Sequence, residues 1–437
     1  MSAWGPAMSL SGEGRTASLP LSGMEPAALV REYLLLGLRF DRIEEGYVDS
    51  FTGDPALRRD VACEPAPDPA DLARQAERLI DALPAVPRAD AFTELRADYL
   101  GAHLRALACA GRKFAGQPVG FVEEVQAYFD VRITKGDPER YRAAHARLDE
   151  ALGGSGPLSG RMQAHRTAEE IPPERLAECI GAFSSALRDR VRAEYPLPDG
   201  ETVVYEVVTD KPWSGFNYYL GDYRSTVAVN ADLKQQMSNL PRLVAHESYP
   251  GHHTEHCRKE AGLVARDGQA EQTIFLVNTP QCLMAEGLAD LALHAAIGPG
   301  WGSWAAEIYA DLGLRFDGER AEAVAEASAA LADVRQDAAL MLHDEHRDAD
   351  DVVEFLRRWL LVNDSRARQM LRFLSSPLWR AYTSTYVEGY RLLRGWLDAR
   401  PAGVSLTERF GRLLDEPLIP SALRSEGRSA ATREGAG

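Results

Sequence analysis

At 437 residues the chain exceeds what one hydrophobic core usually sustains, so two lobes or one large helical body are expected. A formal charge of −16 excludes a nucleic-acid partner, which requires a basic face. With 45% hydrophobic and 26% charged residues the composition is that of a globular protein, and no 18-residue apolar run marks a membrane span.

Met1 to Leu21 is rich in Gly, Ser, Ala and Pro and does not read as a signal peptide. Residues 1–23 and 424–437 are expected to be flexible ends. The cysteines (Cys63, Cys109, Cys179, Cys257 and Cys282) are odd in number and lack C-x-x-C spacing. That predicts free thiols in a reducing cytoplasm. From Pro26, apolar residues recur at helical steps to about Phe40. Asp68-Pro69 reads as a capped helix start. Further helices are predicted near 89–113, 118–130, 138–152 and 173–194, with a break at 153–157. Three strands follow, at 202–208, 216–219 and 225–230. The last is expected to offer an edge for strand addition by an extended peptide. Helix returns from Asp232 to Asp415, with breaks near Pro280, 298–300, 348–351 and Pro377. The expected fold is mainly α, with a helical lobe over 24–200, a second over 201–423, and a small antiparallel sheet beside a metal-binding helix. No Gly-rich phosphate loop is present.

The chemistry concentrates in Leu243-Val-Ala-His-Glu-Ser-Tyr-Pro-Gly-His-His253, which holds three of the ten histidines. It reads as a stretched form of the His-Glu-x-x-His zinc motif, in which two histidines bind the ion and the glutamate activates water. In a straight helix His253 shares a face with His246 but lies about 10.5 Å further along the axis. One zinc, with bonds near 2.0–2.1 Å, cannot span that distance. The helix must therefore bulge or stop, and Pro250-Gly251 is where it can. The bulge returns either His252 or His253 to His246. Gly251-His252 resembles the Gly-His pair that ends several zinc-peptidase motifs, which favours His252. A third ligand is expected from Cys282-Leu-Met-Ala-Glu-Gly-Leu-Ala-Asp290, whose carboxylates Glu286 and Asp290 share a helix face. Glu286 is the expected ligand and Asp290 the group that orients a ligand histidine. His256 and Cys257 are read as peripheral, and His343 and His346 as capping or surface residues.

The segment His246, Glu247, Pro250, Gly251, His252, His253 resembles the His-Glu-x-x-Pro-Gly-His-His pattern of the domain-of-unknown-function 885 family of bacterial proteins. Weaker echoes are Arg39 to Ser50, similar to that family's early helix, Glu286-Gly287, and Pro377 with Tyr386 and Gly389. The Trp that follows Glu-Gly in the family is Leu288 here. The resemblance spans about 30 to 400. It implies a helical zinc peptidase, distantly similar to the carboxypeptidase Taq and thimet-type gluzincins, with the metal on the floor of a deep cleft between two lobes.

The expected function is therefore a zinc-dependent peptidase acting on short peptides, with other divalent ions possible. Glu247 is the expected general base and Tyr386 the oxyanion donor, with Tyr382 and Tyr390 as alternatives. Arg372 is expected either to pair on the helix surface or to bind a substrate carboxylate. The alternatives are a metal-dependent hydrolase of a non-peptide amide or ester, and a non-catalytic metal-binding protein. The expected partner is a peptide or small amide, with no nucleic acid and no membrane.

Overall fold

The computed structural model describes residues 24–434 apart from Ala91, Pro212 and Trp213. The expected flexible N-terminus lies outside that range. At the other end, Pro420–Glu434 is a helix, where residues from 424 on were expected to be flexible. Leu423 on it is buried in the core, and this anchors its first turn.

Helices dominate, and several begin alike. At Asp54-Pro55, Asp68-Pro69 and Asp137-Pro138 the aspartate side chain accepts the amide hydrogen two residues on, and the proline occupies the first turn. Each device satisfies an amide the helix leaves open and presets the backbone. The core is one continuous apolar cluster running from Leu29 to Leu423, unbroken at residue 200. No helix among the described residues is long and apolar enough to cross a membrane.

Two small sheets accompany the helices. Strand β1 (Val48–Phe51) pairs antiparallel with β5 (Ile274–Leu276). The other sheet holds β2 (Thr202–Val208), β3 (Gly215–Gly221) and β4 (Arg224–Asn230), in the order β2-β4-β3. The β3–β4 hairpin is antiparallel, but β2 lies on the far side of β4 and runs parallel to it. The sheet is thus an antiparallel hairpin, as expected, extended by one parallel strand. Strand β4 is also central, so its backbone is already paired on both sides and offers no edge for strand addition. The family-like segment Arg39–Ser50 is likewise not one helix: the first helix ends at Asp41 and β1 begins at Val48.

One helix organises the interior. Pro280–Ala296 is largely apolar apart from Gln281, Glu286, Asp290 and His294 and is almost wholly buried, as expected for a helix at a core's centre. It packs against the helix Leu240–Glu247 and against a π-turn over Thr385–Gly389. The second contact depends on two glycines. A Cβ on Gly287 would lie 2.5 Å from the Gly389 carbonyl carbon, and one on Gly389 would lie 2.5 Å from the Leu283 oxygen. Gly287→Ala therefore forces two backbones apart. We expect a loss of about 2 kcal/mol or more in denaturant unfolding; a variant as stable as the parent would contradict the close approach.

Candidate metal centre

The helix Leu240–Glu247 carries His246 and Glu247 in its last turn. It stops because Ser248 leaves helical geometry (φ −131°, ψ −78°) and Pro250, three residues past the helix end, has no amide to donate. The Ser248 hydroxyl donates to the Val244 carbonyl at 2.6 Å, and the Gly251 amide reaches back to Ala245 at 3.0 Å. A new helix begins at His252. Gly251 sits so tightly against the first helix that a Cβ there would lie 1.9 Å from the His246 oxygen. Only glycine permits this return.

The bulge brings His252 beside His246, with ring centroids 4.7 Å apart and planes perpendicular. The buried helix supplies Glu286 between them. His246 Nε2 lies 3.3 Å from Glu286 Oε2, and His252 Nε2 lies 3.8 Å from Oε1. Ligand atoms bound tetrahedrally at 2.0–2.2 Å stand roughly 3.3–3.6 Å apart, so these separations suit one ion. One ligand atom from each of the three residues lies within 4.8 Å of the others. Glu286 Oε2 is also buried with no hydrogen-bond partner among the described residues. A buried carboxylate oxygen left unpaired is costly unless a cation serves it. The donor set of two imidazoles and one carboxylate therefore fits a divalent metal. The His246 and His252 side chains keep 14% exposure and Glu286 9%, so the site is recessed but open to solvent.

His253 points elsewhere. Its Nε2 donates to Glu201 Oε2 at 3.0 Å and its Nδ1 accepts from the Ser225 hydroxyl at 2.9 Å, which uses both ring nitrogens. It therefore stands outside the ligand cluster, and it anchors the bulge to β4. Glu201 is the hub of that anchor: it is fully buried and also takes Tyr249 at 2.7 Å, Arg188 at 2.7 Å and Arg192 at 2.9 Å. Burial alone would raise its pKa. The hydrogen bonds from His253, Tyr249 and Arg188 outweigh this and hold it at about 2.

Around the ligands the expected neighbours converge. Asp290 Oδ1 lies 3.3 Å from His246 Nδ1. Arg242 approaches Asp290 at 3.6 Å. Burial disfavours a charged His246, yet Asp290 and Glu286 outweigh it and raise the His246 pKa well above the ordinary range. The site thus favours positive charge at that position. Glu247 is buried, and its pKa is pushed up to about 7 by burial and then by the charges of Glu286, Asp49 and Asp290, with His246 opposing. Tyr382, one of the alternatives to Tyr386, donates to Glu286 Oε1 at 2.7 Å. Tyr386 rides on the π-turn with its hydroxyl held far above its usual pKa by burial and by the charges of Glu286, Asp290 and Glu247.

Two charged groups near the centre were not singled out in the sequence. Asp49 on β1 interacts with Glu286 and Glu247, and Arg335, on the helix Asp333–His343, interacts with Asp290 and Tyr386. Their sequence surroundings carry no metal-motif signal; only the packing of β1 and of that helix reveals them. His256 stacks on Tyr219, and His343 bonds the Leu374 carbonyl at 2.7 Å, so neither joins the centre. All five cysteines are free.

No protein-family model matches the chain, and no curated protein does. Among solved structures it is similar to that of the putative lipoprotein from Colwellia psychrerythraea, with TM-score 0.51 and 16% identity over 92% of this chain and 74% of that one. That likeness carries the fold alone. The M32 carboxypeptidase from Deinococcus radiodurans R1 aligns over 91% of this chain and 94% of its own, at TM-score 0.38 and 14% identity, which is too loose to carry an argument.

The ligand set makes a direct prediction. In metal-titration calorimetry His246→Ala and Glu286→Ala should each weaken binding of a single Zn²⁺ by roughly a hundredfold or more, whereas His253→Gln should retain one ion per chain. Loss of the ion in His253→Gln alone would reverse the assignment of the two adjacent histidines.

Proposed function

We propose that the protein is a metal-dependent peptidase, with zinc as its ion, that hydrolyses short peptides. The observation that carries this reading is a division of labour among acids. Glu286 is grouped with the two histidines, while Glu247, next to His246, lies outside the cluster and is free for proton transfer.

His246, His252 and Glu286 would hold the ion, and Asp290 would orient His246. A divalent ion there supplies Lewis acidity, which polarises a carbonyl and lowers the pKa of water. Glu247 takes a proton from the attacking water as the new C–O bond forms. It then returns that proton to the amine nitrogen as the C–N bond breaks. A buried carboxyl with a raised pKa holds a proton more readily than an exposed one, as this shuttle requires. Tyr386 keeps its proton through neutral pH and donates to the oxygen on which negative charge develops. Tyr382 bonds Glu286 and holds that carboxylate in place.

Two variants test the assignment. Glu247→Gln should keep its zinc while kcat on peptides falls by roughly 10²–10⁴. Tyr386→Phe should bind substrate comparably and lose roughly 10²–10³ in kcat. Full turnover in Glu247→Gln would refute the proton-transfer role, and turnover confined to esters would refute the peptidase reading.

A further inference from the structure

Glu124, on the helix Phe121–Phe129, takes no part in the chemistry above, yet it is fully buried. Two cations meet it there. Lys113 Nζ donates to Glu124 Oε1 at 2.5 Å, and Arg380 donates to Oε2 through Nε at 2.8 Å and again through Nη2. Lys113 sits in the last turn of the helix Glu94–Phe114, whereas Arg380 lies 256 residues beyond Glu124. Taking charges out of water costs about as much as their mutual attraction returns, so such a cluster is weak evidence of added stability; its best attested use is to fix geometry. A guanidinium, with its rigid fork of donors, fixes direction more closely than an ammonium does.

The part so fixed is the segment 376–384, which joins the helix Asp364–Ser375 to the π-turn over Thr385–Gly389. Residues 376–382 are not helical, so bonds from outside decide where they lie. Lys113 also donates to the Pro377 carbonyl at 2.6 Å, and Asn278 donates to the Leu378 carbonyl at 2.9 Å. Asn278 stands just ahead of the Glu286 helix in left-handed geometry (φ 61°), so it registers the segment against that helix. Two residues beyond Arg380 comes Tyr382, whose hydroxyl donates to Glu286 Oε1 at 2.7 Å. Its ring also meets Tyr386 edge-on, with centroids 5.7 Å apart. With Oε1 engaged, Glu286 Oε2 is the oxygen left with no hydrogen-bond partner among the described residues, and it lies 3.3 Å from His246 Nε2. A chain of direct contacts therefore runs from Glu124 through Arg380 and Tyr382 to the ligand carboxylate.

We infer that Glu124 is a positioning residue for the metal centre: through Arg380 it sets Tyr382 against Glu286, and Tyr382 leaves the second oxygen of that carboxylate turned toward the imidazoles. Lys113 holds the same segment at Pro377. The inference goes beyond the peptidase reading, because it concerns how a ligand is held and not what is cleaved; it rests on the ligand set alone.

The test is a double-mutant cycle on the full-length protein, with Zn²⁺ affinity read by competition with a chelator. Glu124→Gln and Tyr382→Phe should each weaken zinc binding by roughly tenfold or more. The double variant should bind no more weakly than Tyr382→Phe alone, because the remote carboxylate acts through that hydroxyl. A merely structural role would instead make the two losses multiply. Arg380→Gln, at a half-buried position, repeats the measurement if Glu124→Gln fails to fold. Unchanged zinc affinity in Tyr382→Phe, or in whichever of Glu124→Gln and Arg380→Gln folds, would overturn the inference, and so would losses that multiply in the double variant. If the parent binds zinc and cleaves no peptide, the peptidase reading falls and the positioning role stands. If the parent binds no zinc, both fall.

Discussion

The centre depends on one close approach: the backbone of Gly251 against the carbonyl of His246, where even a methyl group would overlap. This contact turns two separate helices into a single ligand-bearing corner. Without it, the histidines on either side of Pro250 would diverge along an axis. The corner is held by side chains that bind its backbone from outside. Asn217 donates to the Glu247 carbonyl at 2.7 Å, Thr254 to the Ser248 carbonyl at 3.0 Å, and Tyr205 meets the Ser248 hydroxyl at 2.7 Å. The first satisfies a carbonyl at the end of the interrupted helix, and the other two add to groups that Val244 and the Thr254 amide already engage. His253 and Tyr249 tie the corner to Glu201, so residues inside the motif serve as scaffold as well as chemistry.

The second support is the buried helix carrying Glu286 and Asp290. A helix that is apolar over most of its surface can occupy the core's centre, and there it meets both the corner and the tyrosine-bearing π-turn. The contact between Gly287 and Gly389 sets the depth of that meeting. Asp49, Glu247, Glu286 and Asp290 interact in a region where burial makes each charge costly, and a divalent cation is the economical remedy.

Much of this was legible in the sequence. The His-Glu pair, the Pro-Gly break and the downstream carboxylates carry their chemistry in residue type and spacing: helix geometry called for a bulge returning His252 or His253 to His246, a likeness to zinc-peptidase motifs favoured His252, and Glu286 and Asp290 share a helix face. The neighbouring histidines differ in what their surroundings offer. His253 faces Ser225 and Glu201, both distant in sequence, and no local pattern announces that. The helix at Pro55–Cys63 was not expected: Asp54-Pro55 carries the start signal seen at Asp68-Pro69, but the segment is too short for a persuasive apolar period. Strands β1 and β5, of four and three residues, are defined by each other and not by their own composition. The same holds for Asp49 and Arg335, which acquire meaning only once distant elements fold around the metal ligands.

The most direct test of the central claim is anomalous diffraction from a zinc-loaded crystal, with data collected on both sides of the zinc absorption edge. A single strong peak coordinated by the imidazoles of His246 and His252 and the carboxylate of Glu286, with His253 turned toward Glu201, is the predicted result. A peak bound by His253 in place of His252, or no peak within coordination distance of Glu286, would contradict it.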